Sequence, residues 1–157
     1  MNCWMGEDDC NALSKAVEGI KNGLIVEIGA YGGVSSSTLA KASPTSKIVT
    51  IDPHSGDYIT KEVLDEFKKN TQGLNIELIK KTSDEAFETW NKEIDFLHID
   101  GDHSYEQVKR DLRWLKFLKK DCFAYFHDYT ADELPGVKEA LKAYNVEVIS
   151  GFGVIQK

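Results

Sequence analysis

Five short apolar runs, each followed by a helical pattern, constrain this chain more than any other feature. They are GLIVEIGA (23–30), KIVTID (47–52), IELIK (76–80), DFLHID (95–100) and CFAYFHD (122–128). Each is strand-length and apolar at successive positions, as strands covered on both faces are. Between them the period changes. Residues 33–42, 60–70 and 83–90 read as helices, the second with Val63, Leu64 and Phe67 inward. After DFLHID, Ser104 and Gln107 form an S-x-x-Q capping box, and Val108, Leu112, Leu115 and Leu118 make one apolar stripe. A first helix is expected over 7–21, with Glu7, Asp8 and Asp9 in the turn where carboxylates suit the helix dipole. Asn22-Gly23 stops it. Pro135 opens a last helix carrying Val137, Leu141 and Tyr144.

Strands alternating with helices imply an α/β fold: a doubly wound, mostly parallel sheet with helices on both faces. The tail differs, because VEVIS and FGVIQ are separated by one glycine-containing turn, which allows only an antiparallel hairpin. That makes seven strands in all. A length of 157 residues suits one domain, 1–157, with 1–23 as an N-terminal helical segment. Composition bears on partners. With 26 acidic against 19 basic residues the net charge is −7, and only Arg110 and Arg113 are arginines. Nucleic acid and acidic membrane surfaces are therefore poor partners. No apolar run reaches the roughly 18–20 residues of a membrane span. The N-terminus does not read as a signal peptide. Cys3, Cys10 and Cys122 are too sparse for a disulfide framework, so a cytoplasmic location is expected. Cys3 and Cys10 lack further ligands nearby and do not read as a zinc site.

In open sheets of this kind ligands bind beyond the carboxyl ends of the strands. The first strand ends in Glu27-Ile28-Gly29-Ala30-Tyr31-Gly32-Gly33, followed by Val34 and three serines beginning at Ser35. The glycines permit a sharp turn and close approach of a ligand. No G-K-[ST] follows, which excludes a P-loop, and Tyr31 replaces the glycine that admits a pyrophosphate. Glu27 would repel a diphosphate and attract a cation. Asp52, ending the second strand, is placed to accept both hydroxyls of a ribose. Thr82-Ser83-Asp84 follows the third strand and suits an adenine amino group, while Ser83 reads equally as a helix cap. The fourth strand ends in Asp100-Gly101-Asp102-His103 and the fifth in His127-Asp128. Carboxylates gathered this way call for a bound cation or a positively charged ligand. His98 is mid-strand and reads as a core histidine; His54 would line the cleft or face solvent.

EIGAYGG, the acidic end of KIVTID and the terminal hairpin together resemble class I methyltransferases that use S-adenosylmethionine (SAM), with their Rossmann-like fold. FLHIDGDHSYEQVKRDL with FHDY and PGVKEAL resembles the small branch related to macrocin-type sugar O-methyltransferases. The resemblance spans residues 24–157. It implies that Glu27, Gly29, Tyr31, Gly32 and Gly33 cradle the methionine part of SAM, that Asp52 holds the ribose and that Ser83 or Asp84 approaches the adenine. Ser35 and Asp100 complete the expected cofactor set. It also implies a divalent metal on Asp100 and the residues after the next strand, and Asp102 as general base. In this chain that acidic pair is His127-Asp128, so the expected ligands are Asp100, His127 and Asp128. A site with an imidazole suits manganese, iron or zinc better than magnesium. Asp102 or His103 would take the proton of a small-molecule hydroxyl. Two other readings share the fold: a hydroxylase-like metal protein and a SAM-binding interaction module. Acceptor recognition is expected from short loops, the N-terminal segment or a second copy of the chain, with Trp4, Trp90 and Trp114 more suited to packing than to an interface. Five carboxylates, Glu27, Asp52, Asp100, Asp102 and Asp128, are expected around one cleft.

Overall fold

A computed structural model describes residues 5–157; Cys3 and Trp4, and what was expected of them, lie outside the described residues. Helix α1 (Glu7–Val17) leads into β1 (Leu24–Ile28), α2 (Val34–Ala42), β2 (Lys47–Ile51), α3 (Lys61–Thr71), β3 (Ile76–Ile79), α4 (Ser83–Phe87) and β4 (Ile94–Ile99). Then come α5 (Tyr105–Asp111), a 3-10 helix (Leu112–Phe117), β5 (Leu118–Phe126), α6 (Pro135–Ala140), β6 (Glu147–Ile149) and β7 (Phe152–Gln156). The seven strands form one sheet in the order β3-β2-β1-β4-β5-β7-β6. The first five pair in parallel, whereas β7 runs antiparallel to both β5 and β6. The expected doubly wound sheet and terminal hairpin are both present.

Alternation along each central strand divides the core in two. Val26 and Ile28 of β1, with Leu97 and Ile99 of β4, face Ala86, Val108, Leu112, Trp114 and Val137. Ile25, Ile48 and Phe96 turn the other way, onto Leu13 and Val17 of α1 and Leu39 of α2. Trp114 is fully buried, with Trp90 edge-on to it at 5.2 Å, so both pack as the sequence implied.

Four elements depart from expectation, among them α4, which ends at Phe87 rather than near residue 90, and α6, which ends at Ala140, before Leu141 and Tyr144. Helix α1 ends at Val17 rather than at residue 21, because the chain turns through Glu18-Gly19 and Ile20 N–H donates to the Val17 carbonyl at 2.9 Å. The helix after β4 gives way to a 3-10 helix at Leu112, and Leu118 already belongs to β5. Leu112, Leu115 and Leu118 are three apart, the 3-10 period, so the stripe stays continuous while the α-helix does not. The capping box is half formed. Ser104 accepts the Gln107 N–H at 3.3 Å, but Asp102 takes the Ser104 N–H at 2.7 Å. Gln107 reaches instead for Ser83 and Asp111, each at 3.0 Å.

Candidate functional site

The rim of the sheet is built by hydrogen bonds that run one residue past the strands. Asp52, Gly29, Asp100 and His127 donate their N–H groups to Ile79, Ile51, Ile28 and Ile99, at 3.2, 2.9, 2.8 and 3.0 Å. These four residues, each from a different strand end, therefore stand side by side. Gly29 is required here twice over: its φ is +87°, and a Cβ would lie 2.1 Å from the Asp100 carbonyl oxygen.

Asp52 organises the turn after β1. One carboxylate oxygen accepts the Ala30 and Tyr31 N–H groups at 2.8 and 3.0 Å, and the other accepts the His54 N–H at 2.7 Å. Tyr31 and His54 both hold positive φ, 44° and 45°, and His54 Nε2 lies 3.1 Å from the Tyr31 carbonyl. Gly32, Gly33 and Ser35 are buried at the start of α2, and Tyr31 is half-buried. Glu27 is elsewhere. Its carboxylate is fully enclosed, accepting the hydroxyls of Ser36 and Thr50 and lying 3.1 Å from His98 Nδ1. Thr50, Glu27 and His98 are cross-strand partners on the α1–α2 face, so this group braces the sheet beneath the turn. His98 is thus in the core, as expected, although its Nε2 has no hydrogen-bond partner.

Beyond β3, Ser83 is buried and donates to Asp111 Oδ1 at 2.5 Å. Asp84 faces both arginines of the chain, Arg110 Nε at 3.0 Å and Arg113 Nη2. Thr82 is the cap of α4, with Glu85 completing a capping box, a role expected of Ser83.

The densest constellation is Asp100, His103, His127 and Asp128, whose donor atoms all lie within 4.8 Å of one another. His103 Nε2 sits 3.2 Å from Asp100 Oδ1 and 3.1 Å from Asp128 Oδ2. His127 Nδ1 sits 3.1 and 3.2 Å from the same two oxygens. Imidazole and carboxylate alternate around this group. His103, expected as a base, thus stands beside the expected metal ligands as a fourth donor. Asp128 reaches the group from a left-handed conformation, φ 56°, which Asp tolerates better than most residues. The four groups shift one another's titration. Asp100 and Asp128 push the His103 imidazole up to about 9. Burial favours a neutral His127, yet the same carboxylates raise it to about 11. In turn the two imidazoles hold Asp128 well below the carboxylate range, and they lower Asp100 to about 2 against the effect of its burial. His127 Nδ1 is nevertheless aligned on neither oxygen and makes no hydrogen bond.

Asp102 is exposed and outside this group. Hydrogen bonds from the Ser104 side chain and backbone keep its carboxyl below the usual range. One residue escaped the sequence reading: Asp9 of α1, whose Oδ2 lies 3.5 Å from His127 Nε2. Its only sequence signal was a place in an acidic first turn, which helix electrostatics already explained.

The profile of the methyltransferase domain family matches residues 26–129. An uncharacterized protein of Acanthamoeba polyphaga mimivirus is 34% identical over 114 residues, 66% of this chain and 50% of that protein. The chain thus spans about half the length of that curated relative. Among solved structures, the O-methyltransferase from Bacillus cereus in complex with S-adenosylhomocysteine superposes with a TM-score of 0.70 at 18% identity, covering 98% of this chain and 82% of the other. The O-methyltransferase TomG from Streptomyces achromogenes, in complex with SAM, gives 0.69 at 16% identity, covering 96% and 78%. At those identities the likeness speaks for the fold, in agreement with the strand order described above. The profile match, covering the rim from β1 to Tyr129, decides the family: this chain belongs to the methyltransferase domain family, of the class I fold.

Proposed function

We propose that the chain transfers a methyl group from SAM to a hydroxyl of a small molecule, assisted by a divalent ion. The observation that carries this reading is the placement of the Gly29–Gly33 turn and the four-donor group on one rim of a methyltransferase-family sheet. The donors fit an ion. Ligand bonds of about 2.0–2.2 Å put neighbouring ligands roughly 3 Å apart, and the O···N separations are 3.1–3.2 Å. The buried, unbonded Nδ1 of His127 points the same way. Two imidazoles with two carboxylates favour manganese, iron or zinc over magnesium. Such an ion lowers the pKa of a hydroxyl beside it.

The chain's own residues then do the following. The turn at Gly29, Tyr31, Gly32 and Gly33, with Ser35, receives the methionine end of SAM. Asp52 has one acceptor site left over from the turn, on Oδ1, which takes one ribose hydroxyl, and Ser83 and Asp84 border the adenine. Glu27 supports this turn from below. Asp102, charged and accessible, accepts the hydroxyl proton as the new C–O bond forms and the sulfonium C–S bond breaks. In-line placement of oxygen, carbon and sulfur is the main catalytic effect. Acceptor contacts come from short loops, the N-terminal segment or a second copy of the chain. We read residues 1–157 as one domain acting in the cytoplasm.

Calorimetry with SAM, S-adenosylhomocysteine and NAD, followed by transfer from labelled SAM with and without chelator, tests this. Binding of SAM and its product but not NAD is expected, with chelator-sensitive transfer. Asp102→Asn is expected to abolish turnover while leaving SAM affinity intact. A response to NAD alone would overturn the methyltransferase reading, and transfer indifferent to chelator would remove the ion from it. Undiminished turnover in Asp102→Asn would reassign the base. Ion binding without any transfer would favour the hydroxylase-like reading.

A further inference from the structure

We propose that Asp9, on the N-terminal helix, is a positioning residue for the four-donor group and acts through His127. The inference rests on the ion reading above. The His127 ring lies between two environments: Nδ1 is 3.1 and 3.2 Å from Asp100 Oδ1 and Asp128 Oδ2, while Nε2 is 3.5 Å from Asp9 Oδ2. The ring is packed against Phe152 at 5.2 Å and edge-on to His98 at 6.5 Å. Asp9 is itself anchored, its Oδ2 accepting the Gly6 N–H at 2.8 Å at the start of α1. Glu7 and Asp8, its acidic neighbours, are exposed, so within that turn the pairing with His127 belongs to Asp9.

A carboxylate on the far nitrogen of a ligating imidazole does two things. It fixes the tautomer with its proton on Nε2, so the Nδ1 lone pair is free for an ion, and it raises the basicity of that lone pair. Nδ1 makes no hydrogen bond, and Nε2 faces the Asp9 carboxylate at 3.5 Å; these are the two halves of this arrangement. Helix α1 thereby becomes part of the ion site although it lies outside the βα core of the fold.

Cobalt(II) serves as the probe, followed by calorimetry and by its visible absorption, in the full chain and in Asp9→Asn and Asp9→Ala. Asn keeps an acceptor oxygen for both Gly6 and His127 but lacks the charge. The expected result is a roughly 10–100-fold loss of cobalt affinity in Asp9→Ala, a smaller loss in Asp9→Asn and an altered cobalt spectrum in both. Metal-free Asp9→Asn is expected to melt within a few degrees of the unsubstituted chain, a difference set by the loss of one first-turn charge. Unchanged affinity and spectrum in both variants would overturn the proposal. So would an Asp9→Asn variant that restores affinity and spectrum in full, since Asp9 would then act only as a helix cap. Absence of cobalt binding in the unsubstituted chain would overturn the ion reading itself, which separates the two failures.

Discussion

Asp111 shows how a single buried carboxyl sets a pH dependence. It is 1% exposed; Oδ1 accepts from Ser83 and Gln107, and Oδ2 has no partner. Burial pushes its carboxyl up to about 6, against those two hydrogen bonds, with Asp84 adding to the rise and Arg110 opposing it. The folded value exceeds the unfolded one, so its stabilising contribution is complete below about pH 3.9 and is lost as pH rises through 6. A shift of about two units corresponds to roughly 3 kcal/mol. Asp111→Asn is therefore expected to lose less stability than the unsubstituted chain between pH 4 and pH 7.5, by about 2–3 kcal/mol. Urea unfolding at the two pH values checks this, and parallel curves would show that Asp111 is ionised without penalty. At this scale the sequence was readable where residue type and strand position coincide, as for Asp52, Asp100, His127 and Asp128. It was not where direction matters. Glu27 sits at a strand end facing a glycine turn, but its side chain leaves on the α1–α2 face and is sealed there by Ser36, Thr50 and His98. Neither spacing nor composition distinguishes those two directions.

Elements were readable wherever one period dominates, which covers the seven strands and the sites of all six α-helices. The exception is instructive. The segment 105–118 carries an apolar residue every three or four positions, which is compatible with an α-helix, with a 3-10 helix and with the first residue of a strand. Long-range pairing of Leu118 with Ile94 decides between them, and that partner is distant in sequence. The PGVKEAL segment has an equally tertiary explanation. A Cβ on Gly136 would lie 2.4 Å from the His103 carbonyl oxygen and 2.6 Å from the Tyr105 N. The first turn of α6 thus presses on the backbone that carries His103 into the four-donor group. Gly136→Ala must move backbone rather than a flexible side chain, at a cost of about 1–3 kcal/mol. The expected outcome is that loss in urea unfolding together with at least a several-fold loss of cobalt affinity, because His103 moves with its loop. Retained affinity in a destabilised variant would mean that His103 adjusts independently of α6.

Across the whole molecule, the −7 charge is distributed differently from what a single acidic cleft would require. Glu27 is inside the sheet, Asp52 is engaged by three backbone N–H groups, and Asp100 and Asp128 alternate with two imidazoles. Among the described residues, the rim therefore holds its carboxylates already partnered. Both of the chain's arginines pair with Asp84. No described helix is long and apolar enough to cross a membrane. A rim tied together by the N–H groups of Asp52, Gly29, Asp100 and His127 has a consequence for ligand coupling. Coupling between two sites needs an element with two arrangements that both ligands bias, and this ladder is already formed. A ligand at 100 times its Kd stabilises by about 2.7 kcal/mol, or a rise in Tm of about 5–11 °C for a chain of this size. S-adenosylhomocysteine and manganese(II), each at that saturation, are expected to stabilise additively, within about 0.5 kcal/mol. Asp100 is the residue on which this turns. Its Oδ1 is within 3.2 Å of both imidazoles, and on the function proposed above it serves the ion rather than the cofactor. Melting curves with each ligand alone and with both together measure the difference. A joint stabilisation exceeding the sum by 1.4 kcal/mol or more, a tenfold coupling, would mean that Asp100 serves both ligands and that the two halves of the site form as one.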